Sequence, residues 1–142
     1  MKNINIAILI TLIQTLTISC CYNRYEELEI EPFVPVLNEI AESEDPIFVN
    51  SADKVKIIYT NSEFYSSQEQ ILSLRELGVS QMYFYSKEEV WFVMERFQHV
   101  YKQSEVLVGY CSNGNSIRMS TYRCIVEKGN GWYFAQHDLM MD

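Results

Sequence analysis

The sequence predicts an α+β domain. We expect an antiparallel sheet, ending in a three-strand meander, to pack on one long amphipathic helix, with a second, shorter helix. Three observations predict this class. Apolar residues recur at three- and four-residue spacing from Lys87 to Tyr101, as on one face of a helix. Short aromatic and β-branched runs on both sides of that segment are typical of strands. Two glycine-containing turns divide the last part of the chain into three such runs.

The first elements are predicted to be short. Val36, Leu37 and Ile40 have the spacing of one helical turn that docks on the domain. Pro46 to Asn50 and Lys54 to Thr60 indicate two strands, because turn-prone residues separate two apolar runs. A hairpin is the simplest interpretation of this pair.

The shorter helix is predicted to end at Gly78, since glycine suits the left-handed cap of a helix. Ser66 and Glu69 have the spacing of a capping box at its start. The apolar residues that follow recur at three-residue intervals: Ile71, Leu74 and Leu77. Val79 to Tyr85 is then predicted to be a strand.

The long helix is predicted to run from about Lys87 to about Tyr101. Ser86 and Glu89 form a second capping-box pattern. One broad apolar face follows: Val90, Met94, Phe97 and Tyr101. We expect this helix to form the central core layer, with Phe97 buried.

The meander is predicted from Glu105 to Cys111, Ile117 to Glu127 and Trp132 to His137. Asn113-Gly114 and Lys128–Gly131 supply the turns, since Asn and Gly accept positive φ. A long helix followed by a curved meander is similar to cystatin-like and nuclear-transport-factor-2-like folds. That resemblance implies a cone-shaped sheet, which in an enzyme would hold a small substrate.

The first 21 residues have the pattern of a secretory leader, with Met1-Lys2 as a positive end and an apolar run from Ile4 to Ile13. That run is shorter than the roughly 20 apolar residues of a membrane span. The tail Leu16-Thr17-Ile18-Ser19-Cys20 resembles the lipobox of bacterial lipoproteins, with Thr17 where that motif usually has Leu. The resemblance implies cleavage after Ser19 and a diacylglyceryl thioether on Cys20, with a further acyl chain on the new amino terminus.

The leader therefore predicts three regions and a location. Residues 1–19 are the signal peptide, 20–35 an acidic tether and 36–142 a single α+β domain. We expect an exported protein of the cell envelope, anchored by lipid because two or more acyl chains hold a protein stably at a membrane. A soluble secreted or periplasmic protein and an uncleaved signal anchor are the alternatives.

The charge of the chain narrows its partners. The 142 residues carry 19 acidic and 11 basic side chains, for a formal net charge of −8. A negative protein is unsuited to nucleic acid and to anionic lipid, so membrane contact should come from the lipid anchor alone. A protein partner, if basic, would be attracted to it.

Few residues of the sequence are candidates for a disulfide, a catalytic site or a metal site. Cys111 and Cys124 are predicted to form a disulfide, since exported thiols meet an oxidant; the alternative is two buried free thiols. His137 and Asp138 are candidates for a catalytic base, and His137 with Cys111 or Cys124 for a nucleophilic pair. No short metal-ligand spacing or cofactor motif is present in the sequence, so we predict no metal, no cofactor and no catalytic residue.

Aromatic residues are the best candidates for binding. The chain has 10 Tyr, 7 Phe and 2 Trp, and its consecutive strand aromatics place a ring on both faces of a strand. Tyr83, Tyr85, Trp132 and His137 are the candidate binding residues. The sequence thus favours a small non-catalytic lipoprotein that binds a protein or small ligand, and an inhibitor or immunity-type protein is one concrete form of this prediction. The alternatives are a small hydrolase or isomerase and a structural subunit of an envelope complex.

Overall fold

The computed structural model describes residues 28–49, 54–98, 102–114 and 121–140, and these residues form an α+β fold. Six antiparallel strands make one sheet in the order β1-β2-β3-β4-β6-β5. The strands are β1 Lys56–Tyr59, β2 Gln81–Ser86, β3 Glu89–Gln98, β4 Lys102–Cys111, β5 Arg123–Gly129 and β6 Trp132–Met140. Two α-helices, α1 Phe33–Glu42 and α2 Glu69–Glu76, pack on the sheet, so the α+β prediction is confirmed.

The first helix, α1, docks through one apolar face. Its buried residues are Phe33, Val36, Leu37 and Ile40, which recur at the three- and four-residue spacing of a helix. Lys87 binds the carboxyl end of α1, because its Nζ donates to the carbonyls of Ala41 (2.7 Å) and Ser43 (2.8 Å). A cation at this end also opposes the negative pole of the helix dipole.

The segment after α1 forms a 3₁₀ helix, Pro46–Phe48, where a strand was predicted. The side chain of Asp45 caps it by accepting a hydrogen bond from the amide of Ile47 at 2.9 Å. Proline suits the first turn of a helix because its missing amide would have no partner there. The prediction of a strand was therefore wrong here, while the second predicted strand is β1.

The second helix, α2, ends as predicted. Gly78 has a φ of 81°, and the amide of Val79 donates to the carbonyl of Leu74 at 3.0 Å. Together with the bond from the Gly78 amide to the Arg75 carbonyl, this makes a Schellman motif. No capping box forms at the start, since Gln68 is the N-cap residue and makes no side-chain cap.

The long helix predicted from Lys87 to Tyr101 does not exist, and its place is taken by β3, Glu89–Gln98. The predicted capping serine, Ser86, instead accepts a hydrogen bond from the amide of Glu88 at 3.1 Å within the turn between β2 and β3. The side chain of Phe97 lies outside what the structure describes, as does all of His99 and Tyr101. The predicted burial of Phe97 therefore stays a prediction.

The apolar spacing from Lys87 to Tyr101 predicted a helix wrongly because β3 is buried on both of its faces. Val90 and Phe92 point to one side of β3, and Trp91 and Val93 point to the other, and all four are fully buried. A continuous apolar run results, and periodicity alone cannot separate such a strand from a buried helix. The β-branched and aromatic residues of the run were the signal for a strand.

The last three strands are present, but they do not form a meander. β6 lies between β4 and β5, so the final strand of the chain pairs with both of its predecessors. The turn between β5 and β6 is the predicted one: Asn130 has a φ of 52° and Gly131 a φ of 80°. Two successive positive φ values are typical of a type I′ hairpin.

The two faces of the sheet are buried in different ways. We call the side under α1 and α2 the helix-covered face, and its core includes Ile58, Met82, Phe84, Phe92 and Phe134. We call the other side the open face, and its buried cluster comprises Trp91, Val93, Leu107, Cys111, Tyr133 and Ala135. Within the described ranges, no helix is long and apolar enough to cross a membrane.

Candidate functional site on the open face

A row of polar residues crosses three neighbouring strands of the open face. The strand register places Arg96 of β3 beside Glu105 of β4, and Glu105 beside His137 of β6. Directly opposite residues on one face of a sheet have Cβ atoms about 5 Å apart. Glu105 is therefore the centre of the row, and its side chain is fully buried.

Glu105 is held by two strong donors. The hydroxyl of Tyr83 donates to its Oε2 at 2.7 Å, and Nε of Arg96 donates to its Oε1 at 2.7 Å. Nη2 of Arg96 lies 2.6 Å from the same Oε1 and also donates to the amide oxygen of Gln81. Buried carboxylates are stable only when paired in this way, because an isolated buried charge is costly.

His137 completes the row without a hydrogen bond. Its Nδ1 lies 3.6 Å from Oε2 of Glu105, which exceeds hydrogen-bond length. That nitrogen is buried and finds no partner in the part of the chain that the structure describes. The ring rests against Tyr122, with centroids 5.3 Å apart.

These contacts shift the acid–base properties of the cluster. Burial would raise the pKa of Glu105, but the adjacent His137 and Tyr83 and the positive charge of Arg96 outweigh it, so that pKa lies below its usual value. Burial raises the pKa of Tyr83, and the hydrogen bond to the Glu105 carboxylate raises it further. At neutral pH the cluster therefore holds an ionised carboxylate and a protonated phenol.

A layer of tyrosines covers the apolar part of the open face. The ring of Trp91 lies 4.7 Å from that of Tyr122 and 6.4 Å from that of Tyr133, measured between centroids. Tyr83 and Tyr85 pack against the same cluster. Burial raises the pKa of Tyr122, and the neighbouring Tyr85 contributes to the shift. Tyrosine suits this position because its ring covers apolar surface while its hydroxyl can face water.

Gly109 makes room for the Trp91 ring. The two residues are directly opposite in the pairing of β3 with β4. A Cβ atom at position 109 would overlap the Trp91 side chain. The glycine is thus required by close approach, and the ring compensates for the missing side chain in the strand.

The predicted binding residues separate between the two faces. Tyr83, Tyr85 and His137 lie on the open face. Trp132 belongs to the core of the helix-covered face, where it is 6% exposed and packs edge-on against Tyr110. Trp132 and His137 thus point to opposite faces of β6, as positions an odd number of residues apart along a strand do, and a binding role for Trp132 stays a prediction.

Two of the candidate catalytic arrangements are not formed, and the pair of Cys124 with His137 stays untested because the Cys124 side chain lies outside the described residues. Asp138 points to the helix-covered face, where Oδ1 accepts from the hydroxyl of Ser104 at 2.7 Å, so it cannot assist His137. Cys111 lies six residues from Glu105, the cross-strand neighbour of His137, which is about 20 Å along a strand. A nucleophilic pair of Cys111 with His137 is thus out of reach.

The predicted disulfide stays a prediction. Cys111 is buried and carries a free thiol, and the side chain of Cys124 lies outside the described residues. The amide of Cys111 binds the carbonyl of Gly131, whereas Arg123, next to Cys124, pairs with Gln136. β6 lies between β4, which carries Cys111, and β5, which carries Cys124. A disulfide requires Cα atoms within about 7 Å of each other, so β5 would have to leave its register on β6 for this bridge to form.

The edge strand β1 adds exposed apolar groups to the open face. Ile57 stands opposite Tyr83 and is 45% exposed, and Tyr59 stands opposite Gln81 and is 50% exposed. Phe64, in the 3₁₀ helix that follows β1, is 83% exposed. Ile57 and Tyr59 continue the tyrosine layer to the rim of the sheet.

Sequence reasoning missed Arg96, Glu105 and Tyr122. Arg96 lay inside the segment predicted as a helix, where a single arginine indicates only a solvated face. Arg96 meets Glu105 only through the pairing of β3 with β4, and the continuous apolar run of β3 carries no signal of that register. Tyr122 reaches the site from outside any strand, and local sequence carries no signal for that contact.

Comparisons with protein families, characterised proteins and solved structures give no match to this chain. Among the described residues, no group of three or more His, Cys, Asp or Glu side chains could hold a metal ion. The site defines the chain as an antiparallel α+β protein with an aromatic sheet face and an ion pair whose carboxylate is buried and whose guanidinium is partly exposed.

Proposed function

We propose that this protein is a small non-catalytic binding protein of the cell envelope, lipid-anchored through Cys20, which binds a partner with the open face. The observation that carries the proposal is the apolar rim beside the tyrosine layer, where Ile57 and Tyr59 are half exposed. Exposed apolar groups next to tyrosines are typical of protein-binding surfaces.

The partner is best described as a basic protein. The formal net charge of −8 attracts a positive surface and speeds its encounter with the anchored domain. An inhibitor or immunity-type role fits this chemistry, since such a protein binds a basic enzyme tightly without acting on it. The lipid anchor would keep the protein at the cell envelope, where it would meet such an enzyme.

A binding role is also favoured over catalysis by the state of Glu105. Both of its oxygens accept short hydrogen bonds, and its lowered pKa keeps it ionised, so it is a poor proton carrier near neutral pH. The hydrolase or isomerase alternative rests on His137 alone, with Glu105 as a distant orienting group at 3.6 Å. A structural subunit of an envelope complex would use the same apolar rim.

Photo-crosslinking in intact membranes tests the proposal. A benzophenone amino acid at Tyr59 of the full chain should trap a partner upon illumination, and Ile57→Lys should reduce the adduct by tenfold or more. The matched control carries the same benzophenone group at Leu72. Leu72 is 39% exposed and belongs to α2, which packs on the helix-covered face, away from the open face. Equal adducts from both positions, or none from Tyr59, would contradict the open face as the binding surface.

The anchor has its own test. Cys20→Ser should release the protein from membranes, and mass spectrometry of the native protein should find an acylated peptide that begins at Cys20. An acylated peptide that begins at Cys21, or a purified protein that retains Ile4 to Ile13, would refute the assignment. The binding proposal would survive that result, because it rests on the open face.

A further inference from the structure

We propose that Arg96 is the specificity-determining residue of the open face and donates a hydrogen bond to a main-chain carbonyl of the partner. The inference rests on the proposed function and names the chemistry of recognition at that same surface. The side chain of Arg96 is 37% exposed, although the Glu105 carboxylate that it binds is fully buried. Its guanidinium group therefore has one edge turned into the protein and another turned to solvent.

The inward edge of the guanidinium is fixed by three contacts. Nε donates to Oε1 of Glu105 at 2.7 Å, and Nη2 lies 2.6 Å from the same oxygen. Nη2 also donates to the side-chain oxygen of Gln81, which is 2% exposed. Two buried acceptors on two strands thus determine the plane of the group. A side chain that is already held in place loses little conformational entropy when a partner binds it.

The outward nitrogen of Arg96 is available to a partner. Within the described ranges, the hydrogen bonds of Arg96 use Nε and Nη2. A guanidinium carries five N–H donors, so the two on Nη1 are left for a group outside the chain. Arginine is one of the residues most enriched among those that carry binding energy in protein interfaces.

Arg96 stands beside the apolar rim of the open face. Gln81, which accepts from its Nη2, is directly opposite Tyr59 in the pairing of β1 with β2. Directly opposite residues have Cβ atoms about 5 Å apart, so one buried amide separates Arg96 from the half-exposed Tyr59. A partner that covers the rim would therefore also cover the guanidinium.

The charge of Arg96 is already matched, and this favours a neutral acceptor in the partner. The carboxylate of Glu105 lies against the inward edge, with no water between it and the guanidinium at 2.6 Å. A second carboxylate on the outward edge would be repelled by Glu105 once the interface is closed to solvent. A main-chain carbonyl has no net charge, and its hydrogen bond to a charged donor is still a strong one.

Photo-crosslinking of the full chain in membranes tests this role through Arg96→Lys. A lysine keeps the ion pair with Glu105 through its single ammonium group but lacks the second, outward edge of a guanidinium. With the benzophenone amino acid in place of Tyr59 as the probe, we expect Arg96→Lys to reduce the adduct about tenfold. Its free energy of unfolding in urea should stay close to that of the wild type.

The matched control is Arg75→Lys. Arg75 belongs to α2, on the helix-covered face, and its guanidinium donates to the carbonyl of Thr60 within the chain. A lysine can donate to the same carbonyl. This control should leave the adduct unchanged, because Arg75 does not contact the open face.

Two further measurements separate recognition from folding. Gln81→Met keeps Arg96 but frees its guanidinium to move, so the adduct should fall about threefold as pre-organisation is lost. If Arg96→Lys fails to fold, Gln81→Met decides by the same measure. The adduct lost in Arg96→Lys should not return at low salt, because only a contact between opposite charges would strengthen there.

The possible failures are distinguishable. An adduct that is unchanged in the folded Arg96→Lys and Gln81→Met chains would overturn the role of Arg96, while the proposed function would stand. Recovery of the Arg96→Lys adduct at low salt would indicate a carboxylate in the partner and would overturn the assignment of a carbonyl. The absence of any adduct from the chain with Arg96 intact would count against the proposed function itself.

Discussion

The two faces of the sheet are buried by different means. The helix-covered face is closed by α1 and α2, whose apolar side chains meet those of the strands, as Phe33 does against Phe92 with ring centroids 5.6 Å apart. The open face has no helix over it within the described ranges, and it is closed by its own tyrosines around Trp91. One sheet therefore has one dry face and one amphipathic face.

The comparison shows what replaces a helix in covering a sheet. Packing of α1 and α2 removes a large apolar area from water, so the strands can present purely hydrophobic side chains on the helix-covered face. A layer of tyrosines covers less apolar area than a pair of helices does. The charged residue Glu105 can be buried beside this layer because Arg96 and Tyr83 donate hydrogen bonds to its two carboxylate oxygens. The open face should be more sensitive to the exact shape and pairing of its side chains.

The largest effect is expected on the helix-covered face. Phe92→Ala should lower the free energy of unfolding by about 3–5 kcal/mol, because a fully buried ring is lost and a cavity remains. Urea denaturation measures it. Phe64→Ala, at a site 83% exposed, should change the same quantity by less than about 0.5 kcal/mol. Similar losses from both would mean that the helices do not close this face.

Gly109→Ala tests the shape of the open face. The new methyl group would meet the Trp91 ring, so we expect a loss of about 3 kcal/mol from overpacking. In a Trp91→Leu background the same change should cost much less, and a double-mutant cycle in urea measures the difference. Equal costs in both backgrounds would show that the backbone, and not the ring, requires glycine.

Arg96→Met tests the ion pair and should cost about 2 kcal/mol at pH 7. The value is below that of a fully buried pair because the Arg96 side chain is 37% exposed. The pKa of Glu105 is lowered in the folded protein, so its contribution is present above its usual pKa of 4.5 and is lost as the pH falls through the folded value.

The difference between wild type and Arg96→Met should therefore shrink as the pH falls below that value. Denaturation in urea across the acid range measures it, and Arg75→Met serves as a control whose effect should not follow the same profile. Arg75 donates to the carbonyl of Thr60 and contacts no titrating group there. A gap that stays constant into acid would mean that Arg96 stabilises the fold through contacts other than its ion pair with Glu105, such as its hydrogen bond to Gln81.

Lys87→Met should have the smallest effect, about 0.5–1 kcal/mol, because it removes one cation from the end of α1. The loss should diminish in high salt, unlike that of Phe92→Ala. Glu39→Gln, an exposed change on the same helix, should be nearly neutral in a thermal melt. A loss as large as that of Phe92→Ala would show that Lys87 holds the helix on the sheet by itself.

Local sequence signals determined three short features correctly, although they failed for the segment Pro46–Phe48, which is a 3₁₀ helix and not a strand. Gly78 ends α2, Asn130-Gly131 turns the chain between β5 and β6, and the spacing of Val36, Leu37 and Ile40 marks α1. Each of these depends on backbone conformation or on one helix face, which neighbouring residues encode by themselves.

Tertiary structure decided the rest. Whether residues 89–98 form a helix or a strand depended on burial from both sides, and pairing with β2 and β4 supplied the hydrogen bonds that a strand cannot make alone. The insertion of β6 between β4 and β5 then brought Glu105 between Arg96 and His137 and carried Trp132 into the core. Contacts between residues this far apart in the chain exist only once the strands have paired, so no local pattern could reveal the site.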